Sequence, residues 1–196
     1  EPDRNQYSSF FVKGPDEYCG AAVNNTFTNY LARHNVRLAL RHAAMDGGER
    51  GRLKHFEEHV ALLYDPQRHL YLQDELFDRL EPMPDGHAQG EPLYKSVCFD
   101  RMQRYRALKQ ADLVQLMTMF PDDFSDGEKR AVWDRYEPLT VHDSSLSFGI
   151  HALLAFRLGL EKVGWRYFER SLCFDLSDEL GNTGREGIHM AALGAS

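Results

Sequence analysis

Four polar residues crowd the start of a predicted apolar helix in the segment YEPLTVHDSSLSFGIHALL. They are Asp143, Ser144, Ser145 and Ser147. Adjacent hydroxyls beside the unpaired N–H groups at the positive end of a helix can bind an anion such as phosphate or sulfate. Ordinary helix capping explains one of these hydroxyls as well. On the pattern alone, the segment is either an anion site or a capped helix start.

Two adjacent acids follow a rigid turn near the start of the chain, in the segment KGPDEYCG. We call this segment, residues 13–20, the acidic turn. Gly14 and Pro15 fix the backbone direction, because glycine permits unusual dihedral angles and proline locks its own. The turn therefore aims the side chains of Asp16 and Glu17. An exposed carboxylate after a turn is also common on protein surfaces, so the pattern assigns no role by itself.

The segment HFEEH places His55 and His59 one helical turn apart, which is the spacing of paired zinc ligands. A zinc site also needs a third ligand and a dry pocket. Glu57, Glu58 and the nearby basic residues are instead typical of a solvated helix face. We therefore predict no metal site.

Two further segments carry candidate polar groups. In LKQAD, Lys109 and Gln110 lie within a helical pattern that is apolar toward Leu113 and Leu116, where a lysine usually extends to solvent. The segment GNTGREGIHMAALGAS is predicted to be a loop that presents His189. A lone histidine is more often a structural group than a ligand.

The spacing of apolar residues predicts an all-α fold with six helices in hairpins and no convincing alternating strands. The predicted helices cover residues 27–45, 50–63, 94–119, 126–136, 147–158 and 160–174. Thr26 or Thr28 is placed to cap the first helix. The long connector at residues 64–92 is either a functional loop or a surface that packs against something outside the chain.

The composition indicates one globular domain, because 196 residues with 42% hydrophobic content can bury a core. A net charge of -7 argues against a nucleic-acid partner. Cys19, Cys98 and Cys173 are widely spaced and predict reduced thiols rather than a disulfide framework. There is no apolar run of the roughly 18 residues that span a bilayer, and the polar start is no signal peptide. We therefore expect a cytoplasmic protein without membrane contact.

Taken together and in order, six motifs resemble the signature series of glycoside hydrolase family 65. They are GPDEY, NNTFTNYLARHN, LKQADLV, FPDDFS, YEPLTVHDSSLS and GNTGREGIHMA. The family holds the maltose, trehalose, kojibiose and nigerose phosphorylases, and its catalytic domain is an (α/α)6 barrel. The resemblance implies that residues 1–196 are a single partial catalytic domain, the second half of that barrel, and that this fragment is inactive alone.

The resemblance implies inverting phosphorolysis of an α-glucosyl disaccharide to β-glucose 1-phosphate and a free sugar. Glu17 matches the family's catalytic glutamate and would be the general acid, kept protonated by burial or by a nearby anion such as phosphate. Phosphate is already a nucleophile at neutral pH, so it replaces the second carboxylate of an inverting hydrolase. The implied partners are the disaccharide and inorganic phosphate as co-substrate, with no cofactor.

Other candidate site residues follow from the same resemblance. The positions that match phosphate-binding residues are Ser144, Ser145 and His189. The positions that match residues of the glucosyl site are Lys109, Gln110 and Glu137. Asn25 is a weaker candidate for the substrate site, and its alternative role is to fix the acidic turn. Cys19 stands where relatives often carry histidine, which leaves the preference for the acceptor sugar open.

Two other functions stay open. A hydrolase of the same family, similar to an α-glucosidase or an acid trehalase, would need a carboxylate base where phosphate sits, and Glu186 is close to His189 in sequence. A non-catalytic helical sugar-binding module would leave Glu17 as a surface acid. The sequence leaves open the disaccharide, its linkage and the oligomeric state, for which a homodimer is one option.

Overall fold

The computed structural model describes residues 5–83 and 92–190, together with Gly194, and it is predominantly helical. The helices are α1 Thr26–His42, α2 Gly47–His59, α3 Leu93–Ser96, α4 Phe99–Met102, α5 Asp112–Met119, α6 Asp126–Tyr136, α7 Ser147–Arg157, α8 Glu161–Cys173 and α9 Thr183–Glu186. Two pairs of short antiparallel strands accompany them, β1 Phe10–Val12 with β2 Ala22–Val23, and β3 Tyr64–Asp65 with β4 Leu70–Tyr71. The predicted fold class is confirmed, although these short strands were not predicted.

Three helices, α6, α7 and α8, match their predicted ranges to within one residue at each end. At the start of α6, Ser125 accepts a hydrogen bond from the backbone of Glu128, and the Glu128 side chain accepts one in return from the backbone of Ser125. This reciprocal capping box defines the first turn. The cap of α1 was predicted wrongly. The Asn25 side chain, rather than Thr26 or Thr28, accepts the hydrogen bond from the Thr28 N–H.

The predicted helix at residues 94–119 is wrong. The structure divides it into α3, α4 and α5, with a non-helical segment at residues 103–111. In this segment Leu108 pairs with residues 139–141, since its N–H donates to Leu139 O at 2.9 Å and its carbonyl accepts from Val141 N at 2.9 Å. The pairing satisfies the backbone without helical bonds. Lys109 and Gln110 therefore lie in a loop before α5 and not on a helix face.

Helix α5 lies at the centre of the main core and packs against α1, α6 and α7. Its residues Leu113, Val114, Leu116 and Met117 are completely buried. A helix that is apolar on nearly all sides is stable only when neighbours cover it, which explains this central position. A smaller cluster forms beneath the acidic turn from Tyr18, Leu93, Met102 and Ala107. The acidic turn is thus attached to the helices through a buried aromatic ring.

The remaining sequence features lie on the surface or in loops. His55, which is exposed, and His59, which is half-buried, stack on α2 with their ring centroids 4.2 Å apart, and the Nδ1 atoms of both rings have hydrogen-bond partners within the chain. Within the described residues no group of three potential metal ligands is found. The cysteines are free thiols, as predicted. In the same part of the chain no helix has the length and apolar character needed to cross a bilayer.

Adjacent leucines on α7 provide a matched test of the core. Leu154 is completely buried, whereas Leu153 is 44% exposed. We expect Leu154→Ala to lower the free energy of unfolding by about 2–5 kcal/mol, because it leaves a cavity. Leu153→Ala should change it by no more than about 0.5 kcal/mol. Urea denaturation measures both, and equal losses would contradict the described packing.

Candidate active site

The acidic turn connects β1 to β2 and lies directly against Asp112. A Cβ atom at Gly14 would lie 2.0 Å from Asp112 Oδ2 and 3.0 Å from Asn25 Nδ2. Real side chains do not fit at such distances, so the turn approaches α5 closely only because residue 14 is glycine. The sequence indicated Gly14 as a turn residue, and the structure shows that this close contact also requires a glycine.

Asp112 is a buried carboxylate that joins several segments. It accepts hydrogen bonds from the backbone N–H of Asp16 at 2.5 Å, from Asn25 Nδ2 at 2.7 Å and from Gln73 Nε2 at 2.9 Å. Its position in the first turn of α5 is favoured by the positive end of the helix dipole. Sequence reasoning missed this residue, and its one signal was a charge at the start of an otherwise apolar helix.

The two neighbouring acids of the turn have opposite environments. Asp16 is buried, and its Oδ1 accepts from the N–H groups of Tyr18 at 3.1 Å and Lys109 at 2.8 Å. Burial, followed by the nearby charge of Asp112, raises the pKa of Asp16. Glu17 is 55% exposed, and its carboxylate contacts the ammonium of Lys109. Only Glu17 is therefore accessible to a ligand, and of the two alternatives given for this acid, burial and a nearby anion, burial is not found.

Four segments line a cleft of about 340 Å³, a volume typical of small-molecule sites. The lining residues are Tyr94, Lys109, Asp143, Ser144, Ser145, Leu180, Asn182, Glu186 and His189. The structure thus brings together Lys109 and all three predicted phosphate-binding residues. Glu17 does not line the cleft itself but reaches it through its contact with Lys109.

The two serines are not the cap of α7. The N-cap position is Leu146, and no side chain caps the helix. Ser144 Oγ accepts a hydrogen bond from Leu146 N at 3.3 Å. Ordinary capping of α7 is therefore not the reason for the paired hydroxyls. Both serines face the cleft, as an anion-binding role would need.

Asp143 holds the base of the cleft in place. Its Oδ2 accepts from the Tyr18 hydroxyl at 2.5 Å and from the Leu93 N–H at 2.6 Å. Burial and this hydrogen bond raise the pKa of Tyr18, so the phenol keeps its proton. The acidic turn and residues 143–145, which we call the serine segment, are consequently joined by a side-chain contact, and Lys109, which contacts Glu17, lines the same cleft.

His189 is oriented by Asp175, a partner that the sequence did not reveal. Its Nδ1 lies 2.6 Å from Asp175 Oδ1, and its backbone N–H donates to Asp175 Oδ2 at 2.8 Å. A carboxylate only accepts, so Nδ1 carries the hydrogen. The hydrogen bond from the His189 side chain lowers the pKa of Asp175. The other ring nitrogen, Nε2, lies 3.8 Å from Glu186 Oε2.

The three remaining predicted site residues lie outside the cleft lining. Gln110 donates from Nε2 to Pro15 O at 2.7 Å and so supports the acidic turn. Glu137 accepts a hydrogen bond from the Tyr167 hydroxyl at 2.6 Å. Asn25 caps α1 and donates to Asp112, an arrangement that fits its alternative role of fixing the turn.

The cleft combines an ammonium, an imidazole and two hydroxyls beside a solvent-accessible carboxylate. This set can hold an oxyanion and transfer a proton. The sequence model of the glycosyl hydrolase family 65 central catalytic domain matches residues 1–196. The chain belongs to this family.

Relatives in family 65 include phosphorylases of different names. The chain is 32% identical over 206 residues to maltose phosphorylase of Bacillus subtilis (strain 168), a match that covers 98% of this chain and 27% of that protein. It is 30% identical over 205 residues to α,α-trehalose phosphorylase of Geobacillus stearothermophilus, with 94% and 27% covered. A solved structure of a candidate kojibiose phosphorylase from the human microbiome superposes with a TM-score of 0.89 at 29% identity, covering 98% and 28%.

These matches confirm the family that the motifs predicted and the helical-barrel fold that it implies. The chain spans about a quarter of the length of the family 65 relatives that it matches.

The buried Asp16 predicts a specific dependence of stability on pH. Its pKa is raised from 3.8 on folding, so above pH 3.8 the folded chain retains a proton that the unfolded chain releases. The stabilising contribution of this proton is lost as the pH rises through the raised value. Asp16→Asn removes the titration but keeps an oxygen that can accept both N–H bonds.

We expect the stability of Asp16→Asn relative to the wild type to increase as the pH rises from acidic to neutral values. The limiting slope is about 1.4 kcal/mol per pH unit for one proton. Urea denaturation across this range measures it. Asp46→Asn is the control, because Asp46 is an exposed cap of α2 that asparagine can replace. A stability difference that stays constant with pH would contradict the assignment.

Proposed function

We propose that this chain supplies part of the catalytic domain of a disaccharide phosphorylase. The reaction would be inverting phosphorolysis of an α-glucosyl disaccharide, which yields β-glucose 1-phosphate and a free sugar. The observation that carries the proposal is the cleft in which Lys109, Ser144, Ser145 and His189 converge next to the carboxylate of Glu17. The names of the relatives support phosphorolysis as the reaction class.

In this proposal Glu17 is the general acid. It donates a proton to the glycosidic oxygen as the bond to the glucosyl carbon breaks, and a phosphate oxygen attacks that carbon from the opposite face. Phosphate needs no base to activate it, so one catalytic carboxylate is sufficient. Ser144 and Ser145 hold the phosphate through hydroxyl donors, and His189 donates to it from Nε2 in the imidazolium form, because its Nδ1 hydrogen is bound to Asp175.

Lys109 links the two halves of this mechanism. Its ammonium contacts the Glu17 carboxylate, and its side chain also lines the cleft. A phosphate bound on the serines would attract Lys109 and place negative charge near Glu17. Both changes favour the protonated form of the acid. We propose that phosphate binding, rather than burial, prepares Glu17 to donate a proton.

Residues for the glucosyl ring are also proposed. Lys109 lines the cleft, while Gln110 and Glu137 are each anchored by one hydrogen bond, to Pro15 O and from the Tyr167 hydroxyl. Anchored polar groups can bind sugar hydroxyls without a large loss of side-chain entropy. In this proposal Asn25 supports the acidic turn through Asp112, which accepts hydrogen bonds from both.

A hydrolase is the second candidate, because the cleft contains a carboxylate near the predicted phosphate site. Glu186 Oε2 lies 3.8 Å from His189 Nε2, and Glu186 lines the cleft. A carboxylate at this place could activate a water molecule as general base. Glucose would then be released without phosphate.

An assay of the full-length protein that carries this chain distinguishes the candidates. Maltose, trehalose and kojibiose are each supplied with and without inorganic phosphate. Phosphate-dependent release of glucose 1-phosphate supports the phosphorylase, and phosphate-independent release of glucose supports the hydrolase. Binding of sugar without turnover would indicate a non-catalytic module.

Replacement of Glu17 tests the proton donor. Glu17→Gln should lower turnover of the natural disaccharide by at least about 10²–10⁴-fold while leaving sugar binding largely intact, because only proton donation is lost. Glucosyl fluoride, whose leaving group needs no proton, should remain a substrate. Glu49→Gln on the exposed start of α2 is the control. Near-normal turnover of the disaccharide by Glu17→Gln would remove Glu17 from the mechanism.

Replacement of both serines tests the phosphate site. Ser144→Ala combined with Ser145→Ala should raise the KM for phosphate by roughly 100-fold or more, since two hydrogen bonds to a charged group are lost and each is worth about 1.5–3 kcal/mol. The KM for the sugar should change less. Ser177→Ala on an exposed turn is the control. Equal increases of both KM values would show a structural role for the serines instead.

A further inference from the structure

A continuous chain of side-chain hydrogen bonds runs beneath the serine segment. Ser147 Oγ lies 2.9 Å from His142 Nδ1, and His142 Nε2 lies 3.1 Å from the Tyr167 hydroxyl oxygen. The same hydroxyl lies 2.6 Å from Glu137 Oε1. The chain therefore starts at the first residue of α7 and ends on a predicted glucosyl-site carboxylate.

The direction of every bond in this chain can be assigned. The Glu137 carboxylate only accepts, so the Tyr167 hydroxyl must donate its single hydrogen to it. The hydroxyl oxygen then accepts from His142 Nε2, which carries the ring hydrogen. In the buried, neutral ring His142 Nδ1 is left as an acceptor and receives the hydroxyl hydrogen of Ser147, which fixes the ring in one tautomer.

The surroundings of the ring agree with this neutral form. Burial lowers the pKa of His142 well below its ordinary value, with smaller contributions from His151, Arg166 and Arg170. The ring packs against the rings of Phe148 and His151, with centroids 5.2 Å and 4.6 Å away. His151 donates from Nδ1 to Ser147 O at 2.8 Å and thereby fixes the same residue from the other side.

The backbone at His142 shows which bend this series of hydrogen bonds holds in place. His142 has φ +58°, a left-handed conformation that is unfavourable for a residue with a side chain. Such a residue persists only when its surroundings fix it, at a cost of order 1–3 kcal/mol. It directly precedes residues 143–145, which carry the two serines of the cleft. Hydrogen bonds at both ring nitrogens hold the bend that turns these serines toward the cleft.

We propose that His142 and Tyr167 are positioning residues that couple the glucosyl site to the phosphate site. Tyr167 fixes the carboxylate of Glu137, and His142 fixes the bend that carries Ser144 and Ser145. This inference rests on the proposed function. Neither positioning residue lines the cleft, so both act through the groups that they orient.

Tyr167→Phe in the full-length protein tests the coupling, because it keeps the buried ring and removes only the hydroxyl. We expect kcat/KM to fall by about 10- to 100-fold, since small displacements of positioned groups are costly. The KM for the disaccharide and the KM for phosphate should both rise. Loss of the serine hydroxyls, in contrast, should act mainly on phosphate.

Tyr30→Phe is the matched control, because Tyr30 is a buried tyrosine whose hydroxyl bonds to the carboxylate of Asp123, and neither residue lines the cleft or belongs to this series of hydrogen bonds. We expect Tyr30→Phe to lose about as much stability as Tyr167→Phe, without a change in the KM for the disaccharide or for phosphate. Nitrogen-15 NMR of labelled histidine gives a readout that is independent of activity. The His142 hydrogen should reside on Nε2 in the wild type, and the tautomer should no longer be fixed in Tyr167→Phe.

An active wild type whose Tyr167→Phe variant has unaltered KM values overturns the positioning role alone. A His142 hydrogen on Nδ1 in the wild type overturns it as well. A wild type without phosphate-dependent turnover overturns the proposed function and this role together.

Discussion

The candidate site depends on the hydrogen bonds that the buried carboxylate of Asp112 accepts. Its oxygens accept from the backbone of Asp16 and from the side chains of Asn25 and Gln73. A buried charge destabilises the fold unless hydrogen bonds compensate it, so losing one donor would lower the free energy of unfolding. The acidic turn, the start of α1 and the segment at residue 73 are therefore all fixed to the start of α5. Gly14 allows the close approach that this arrangement needs.

From this anchor, consecutive residues of the turn take up different tasks. Asp16 points inward and binds the N–H of Lys109, while Glu17 points outward and meets the ammonium of the same lysine. Tyr18 points inward again, where its hydroxyl reaches Asp143. The turn is thus connected to the lysine from both sides and to the residue before the serines. A displacement of α5 would move all of these groups together.

Much of the fold could be predicted from local patterns, and the parts that could not depend on distant contacts. The ranges of α6, α7 and α8 follow from apolar spacing and, for α6, from a capping box. The helix predicted at residues 94–119 is wrong at its centre. The apolar residues around Leu108 have a helix-like spacing, but the backbone of Leu108 pairs with residues 139–141 instead of forming helical hydrogen bonds. Tertiary pairing of this kind overrides local propensity and leaves no signal in the segment itself.

The same distinction applies to the candidate site. The structure brings Ser144, Ser145 and His189, which the motifs assigned to a phosphate site, into one cleft with Lys109, which they assigned to the glucosyl site. The motifs did not reveal Asp175, which orients His189 from a position before α9, or Tyr167, which supports Glu137 from α8. Supporting residues are defined by geometry rather than by type, so a single sequence identifies them poorly. Binding residues are easier to find because their chemistry limits the possible types.

The walls of the cleft come from residues as far apart in the chain as Tyr94 and His189, and the acidic turn lies farther away still. Closing such long loops is entropically costly, and the contacts that repay this cost form only after distant segments have met. During synthesis, the cleft could not be complete before residue 189 had left the ribosome. Ligand binding at the cleft would therefore report that its four distant segments have met, which helix content measured by circular dichroism does not show.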